Sequence, residues 1–259
     1  MSQLGFGLSI EPQLWALVFV MVRIGAAFIA APVFSAVSIP VIVRVSLSGA
    51  IGVLVLAAHP VTPPAAIFSA VTILAVLAEA LVGLAIGFVL QIAFAAPTLA
   101  SELIGTSMGI SFASAIDPQN GHSTPALGQF FSMMLTLLFL AMNGHLILVE
   151  LLVKSYSVLP PGHAWLTAAQ LENIVFFGGY IFAAGLLLAL PVGFLLFCLN
   201  LIVGMISRAA PALNLFSVGL PASLLVGVIA LALAFPAMGD YMQVIIDEAL
   251  RAMQTLVLG

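Results

Sequence analysis

The chain has 259 residues, of which 64% are hydrophobic and only 5% charged, with a formal net charge of −4 and a mean hydropathy of +1.33. A soluble domain carries about 25% charged residues, so a water-covered globule is excluded and lipid or apolar partner surfaces are the medium. The acidic balance and the lack of lysine clusters argue against nucleic acid as a partner, and the single cysteine, Cys198, excludes a disulfide framework.

In chain order, residues 1–13 contain Glu11 but no Lys or Arg. The positive start of a secretory signal is missing, and the first apolar run is expected to be a retained helix. That run, Leu14 to Phe34, carries Arg23 and is closed by Pro32. A second, Ile39 to Ala58, carries Arg44 and ends at the breaker stretch from His59 to Pro64. A third, Ala65 to Ala96, contains Glu79 and is expected to stop near Pro97.

A more polar stretch, Thr98 to Pro125, includes Glu102 and precedes a fourth block from Ala126 to Val153. Within this block Asn143-Gly144-His145 marks an interruption. After the Pro160-Pro161-Gly162 turn, Thr167-Ala168-Ala169-Gln170 is a capping-box start for the next helix. Asn173–Ser207 and Ala209–Gly239 carry no formal charge, and each exceeds the roughly 20 residues of one span. Pro191 and Pro221 lie inside them and are expected to kink or break the helix. Asp240 to Leu258 reads as an amphipathic terminal helix. No period-2 alternation is sustained, so the fold class is all-α: membrane-associated helical hairpins with long, proline-kinked helices.

Lys and Arg in short loops ordinarily set orientation in a membrane. Here the five are Arg23, Arg44, Lys154, Arg208 and Arg251, and two sit within apolar blocks. A charge at the centre of a span costs about 2.5–3.5 kcal/mol. Arg23, Arg44, Glu79 and Glu102 therefore either neutralise one another as structural pairs or line a water-filled path. Glu79, Gly83 and Gly87 share one helix face at i, i+4, i+8, and the glycines permit close helix approach. The segment from Gly109 to Pro125 is small and polar, with turn chemistry at Asp117-Pro118 and Asn120-Gly121. It reads either as an exposed connection or as a loop folded into a passage. The histidines His59, His122, His145 and His163 show no metal-ligand spacing, and no phosphate loop, nucleophile elbow or paired-carboxylate motif is present. No metal, cofactor or enzymatic activity is expected.

Several of these segments resemble the flagellar biosynthetic FliR family. They are Arg23-x8-Pro32-Val33-Phe34-x4-Ile39-Pro40-x3-Arg44, the Glu79-Gly83-Gly87 spacing, Asp117-Pro118-Gln119-x-Gly121, Asn143-Gly144-His145, and Arg208-x2-Pro211-x2-Asn214-x-Phe216-x2-Gly219-x-Pro221. The resemblance implies a structural and gating subunit of the flagellar type III protein-export gate, in the bacterial inner membrane within the flagellar basal body. Its implied partners are P-type and Q-type gate subunits, the B-type switch subunit, basal-body ring or rod proteins, membrane lipid and transient unfolded export substrates. Residues 1–160 would correspond to a P-type part and residues 161–259 to a Q-type hairpin. A plug loop near 106–125 would include Gly109, Ile110, Ser111, Phe112, Ala113, Asp117, Pro118, Gln119 and Gly121. Packing or ion pairing would fall to Arg23, Arg44, Glu79, Gly83, Gly87, Glu102, Asn143, His145, Arg208, Pro211, Asn214, Phe216 and Pro221. The alternative is a multispanning secondary transporter with a site built from Arg23, Arg44, Glu79 and Glu102.

Overall fold

The computed structural model describes residues 10–59, 61, 69–110, 126–162, 165–209 and 218–258. Among them are eight α-helices and no strand: α1 Ile10–Ala30, α2 Val41–Ala58, α3 Ala70–Ser107, α4 Ala126–Ala141, α5 Gly144–Val158, α6 Ala168–Gly178, α7 Tyr180–Ala209 and α8 Leu220–Leu258. Five described helical stretches are long and apolar enough to cross a membrane, or six if α4 and α5 form one broken span. The protein is thus a multi-pass, all-α membrane protein.

The helices run further than the sequence punctuation suggests. α3 does not stop at Pro97 but continues to Ser107, and α8 is one helix of 39 residues that includes Pro236. Pro191 lies inside α7 without ending it, while Pro221 falls in the first turn of α8. A proline inside a helix removes one hydrogen bond, but in an apolar medium a break would strand several backbone groups at once. The smaller loss wins, and Ala96, Ala100 and Ile104 stay buried on either side of the turn containing Pro97. At Pro221 the missing N–H belongs to a helix start, where it has no intrahelical acceptor in any case. At 38 and 39 residues, α3 and α8 are roughly 57 and 58 Å long at 1.5 Å per residue, against a hydrocarbon core of about 30 Å. The second half of α8 is amphipathic: Met242, Ile245, Ile246 and Met253 are buried, while Asp240, Gln243, Asp247 and Gln254 are exposed.

Two compact units emerge, neither continuous in sequence. One comprises residues 1–91, 145–175 and 250–259, the other 92–144 and 176–249. In the first unit α2 packs on α1 through Ser48, Ile51, Gly52 and Val55, an i, i+3, i+4, i+7 stripe. The Thr167 and Gln170 capping box forms as expected, with the Thr167 N–H donating to Gln170 Oε1 at 2.8 Å and the Gln170 N–H to Thr167 Oγ1 at 3.2 Å. The Gln170 amide also donates to the Leu256 carbonyl at 2.7 Å, satisfying an acceptor near the end of α8.

In the second unit, Phe94 and Phe139 meet edge to face at 5.8 Å, and Gly185 lets α7 approach the Ala96 carbonyl of α3, which a Cβ there would meet at 3.0 Å. The helical run after Ala126 breaks at Met142 and Asn143. Asn143 adopts φ +57°, a conformation that asparagine tolerates better than most residues. Gly144 cannot carry a side chain, because a Cβ would run into the Phe139 ring.

Gly87 on α3 lies against the Ala27 carbonyl and the Ala30 methyl of α1, where a Cβ would come within 2.6 Å of both. Gly204, in the interior of α7, has open space around it. Gly87→Ala is expected to lower the stability of the purified chain by about 1–3 kcal/mol through overpacking. Gly204→Ala is expected to raise it by about 0.5–1 kcal/mol through helix propensity. Thermal unfolding in mild detergent measures both, and equal shifts would contradict the assigned contact.

Candidate functional site: a buried ion-pair node

Arg23 sits midway along α1 and Glu79 a few turns into α3, both with no exposed side-chain surface. Left alone, either charge would be costly in this setting. Arg23 Nε donates to Glu79 Oε2 at 2.7 Å, Nη1 to Ser155 Oγ at 2.9 Å and Nη2 to the Leu159 carbonyl at 2.8 Å. The guanidinium also lies 4.1 Å above the centre of the Tyr156 ring, a cation–π contact made stronger by the absence of water. Tyr156 Oη in turn donates to the Val20 carbonyl of α1 at 2.8 Å. The second Glu79 oxygen accepts the Gly162 N–H at 3.1 Å.

The node therefore ties α1, α3, α5 and the Pro160-Pro161-Gly162 turn into one network. Gly162 holds φ +89°, a left-handed conformation that suits glycine. Gly83 and Gly87 bring the α1 and α3 backbones together beside the pair. A Cβ on Gly83 would collide with the Arg23 carbonyl and come within 2.9 Å of the Ala26 methyl. Glycine spacing and ion pair thus form one device: the first sets how closely the helices approach, the second sets their register.

The other expected site residues fall differently. Among the described residues Arg44 pairs with no carboxylate; its Nη2 donates to the Ser35, Ala36 and Ile39 carbonyls at 3.2, 2.8 and 3.2 Å. It thereby closes the α1–α2 turn, and its Nε is buried without a partner. Glu102 is exposed. Of the four charges expected to neutralise one another or to line a path, Arg23 and Glu79 are the two that meet in an ion pair among the described residues. His145 is half-buried, and its Nδ1 has no hydrogen-bond partner among the described residues. Arg208 is exposed in the last turn of α7, where a cation suits the helix dipole.

Gly109 and Ile110 form the turn that ends α3, while Thr106 and Ser107 belong to the helix itself. Ser111, Phe112, Ala113, Asp117, Pro118, Gln119, Gly121, Pro211, Asn214 and Phe216 lie outside the described residues, as do His122 and His163. Among the described residues no group of three or more His, Cys, Asp or Glu side chains is placed to hold a metal ion.

Ser155, Tyr156, Leu159 and Gly162 are node members that the sequence reading passed over. Two polar residues in an apolar helix were the available signal for Ser155 and Tyr156. The main-chain groups of Leu159 and Gly162 leave no such trace. Beside the node, a recess of about 460 Å³ is lined almost wholly by apolar side chains, among them Leu81, Phe88, Trp165 and Leu171.

Fold and site together define a multi-pass helical membrane protein in which a buried arginine–glutamate node fixes one helical unit. Residues 14–249 match the family model described as bacterial export proteins, family 1. The flagellar biosynthetic protein FliR of Escherichia coli (strain K12) is 34% identical over 237 residues, covering 92% of this chain and 90% of that protein. The protein of the same name from Pectobacterium carotovorum subsp. carotovorum is 38% identical, with 88% and 87% covered, and that from Bacillus subtilis (strain 168) is 32% identical, with 83% and 84% covered. The chain belongs to the FliR family of bacterial export proteins.

Removing one member of a buried ion pair leaves the other charged and unsatisfied, at a cost of about 3–5 kcal/mol. Arg23→Met and Glu79→Leu are each expected to reduce the folded chain recovered from membranes severely. The double variant is expected to recover part of that loss, because an apolar pair leaves no stranded charge. Quantitative immunoblotting of the membrane fraction, with thermal midpoints of the recovered chain, tests this coupling. Losses that simply add would remove the pair from its assigned role.

Proposed function

We propose that this chain is a structural and gating subunit of the flagellar type III protein-export gate, completing a helical channel with P-type and Q-type subunits. Residues 1–160 take the part of a P-type subunit and residues 161–259 that of a Q-type hairpin. The loop after Ile110 seals the passage at rest and moves aside for unfolded flagellar proteins. The gate sits in the bacterial inner membrane within the basal body. The B-type switch subunit, ring or rod proteins and lipid are its further neighbours, and it works as a conduit component rather than as an enzyme.

One observation carries the reading beyond family membership: α7 and the first half of α8 leave many large apolar side chains uncovered. In α7, Phe182, Leu186, Phe194 and Met205 are exposed, and in the first half of α8 so are Leu225, Val228 and Leu233. Exposed apolar patches beyond a few hundred Å² mark association surfaces or lipid contact. Helices with so much uncovered apolar surface suit a chain that is one stave of a larger assembly. The transporter alternative draws less support, because Arg44 is engaged by main-chain carbonyls and Glu102 is exposed.

Deleting residues 112–120 is expected to raise ion leakage across the membrane of cells carrying the full apparatus, while the chain still copurifies with its small apolar partners. Leakage read from the membrane potential, set beside recovery in mild detergent, checks both halves. Unchanged leakage in a fully assembled complex would remove the sealing role. A solitary chain that moves a small solute in liposomes would favour the transporter.

A further inference from the structure

The end of α3 is fastened with unusual completeness, and all the groups involved lie in the second unit. Gly109 takes φ +81°, its N–H donates to the Thr106 carbonyl at 3.1 Å, and the Ile110 N–H donates to the Gly105 carbonyl at 3.0 Å. This pair of bonds is a Schellman termination, which accounts for two of the carbonyls a helix end leaves open. The next carbonyl, that of Ser107, lies beyond reach of the motif. Asn200 of α7 supplies its donor, Nδ2, at 3.3 Å. The Asn200 oxygen is held by Ser223 of α8, whose Oγ donates to it at 3.0 Å, and Ser223 is 2% exposed.

A separate packing contact fixes the same point. Met108 is 2% exposed and rests in a notch at Gly227 of α8, where a Cβ would come within 2.6 Å of Met108 Cγ. Three helices thus converge on the final turn of α3 through one hydrogen-bonded chain and one side chain in a socket.

We infer that Asn200 is a positioning residue: it clamps the end of α3 to α7 and α8 and so fixes the point at which the following loop leaves the helical body. An asparagine in an apolar helix costs more to insert than the leucine that would fit the same volume. What leucine cannot do is satisfy the Ser107 carbonyl, and an unmatched carbonyl in apolar surroundings draws its helix end into other conformations. The consequence for sealing rests on the role proposed above for that loop. The clamp itself does not.

The test uses the assembled complex purified from its own cell in mild detergent, with amide hydrogen exchange read across the chain. Asn200→Leu is expected to speed exchange at Gly109 and Ile110 by about tenfold, leaving the α1 and α3 amides around Arg23 and Glu79 unchanged. Ser223→Ala, which frees the asparagine oxygen but leaves its donor in place, is expected to give a smaller change in the same direction. It carries the test should Asn200→Leu not assemble.

Exchange at Gly109 and Ile110 that stays at the parental rate in the recovered variants would overturn the clamp. So would a rise spread evenly along α7 and α8, the mark of general loosening. Membrane leakage in the same strains separates the two readings. A local rise in exchange with leakage supports both, while the same rise without leakage keeps the clamp and counts against the sealing role.

Discussion

The pairing of Arg23 with Glu79 is the constraint on which the first unit depends. Two ionised groups lie within apolar helices without any exposed side-chain surface, and each is acceptable there only because the other is. The geometry leaves little latitude. The guanidinium uses all three of its nitrogens on three different acceptors, and the carboxylate uses one oxygen on the arginine and the other on the Gly162 N–H. Sliding α1 along α3 by one residue would break most of these bonds together. Buried ion pairs are weak contributors to net stability but can specify register sharply. In a bundle of interchangeable Leu, Val and Ala side chains, register is what hydrophobic burial alone leaves poorly determined.

The same problem is solved elsewhere by polar groups aimed at helix ends. Arg44 gathers three carbonyls of the α1–α2 turn, Gln170 takes a carbonyl near the end of α8, and Asn200 takes one at the end of α3. Each serves main-chain acceptors that water would serve in a soluble protein. With so few polar side chains in the apolar segments, several of them serve main-chain carbonyls. That is also why Arg44 is not available as a counter-ion.

How much of this was legible in the sequence follows from which interactions are local. Apolar runs, the capping box at Thr167 and Gln170, and the interruption at Asn143-Gly144 depend on neighbours within a few residues, and each appears in the structure. The glycine steps at Gly83 and Gly87 and the two members of the ion pair were visible as residues that do not suit their surroundings. Which of the charges would pair was not, because α1 and α3 are separated by a whole helix in the chain. Helix ends at proline were misread for a related reason. The rule that proline stops a helix is calibrated where water can take the released carbonyl, and α3 runs past Pro97 in a setting where ending would expose more groups than continuing. The notch that Gly227 offers Met108, and the acceptor role of the Ser107 carbonyl, depend on three helices meeting and leave no signature in composition.

The division of labour between polar and apolar groups bears on how the helices of the second unit hold together. α7 and the first half of α8 leave many large apolar side chains uncovered, so burial within the chain supplies little of their order. Without a hydrophobic driving force between helices in lipid, association depends on close packing and on hydrogen bonds. Gly185 against α3 and the Ser107–Asn200–Ser223 chain provide both on the inner faces. The outer faces are then free to be largely apolar, a surface that suits lipid and the apolar faces of other helices alike. Around the end of α3 such a surface can meet either apolar environment without a change of inner contacts, because the Ser107 carbonyl and the Asn200 side chain are satisfied from within.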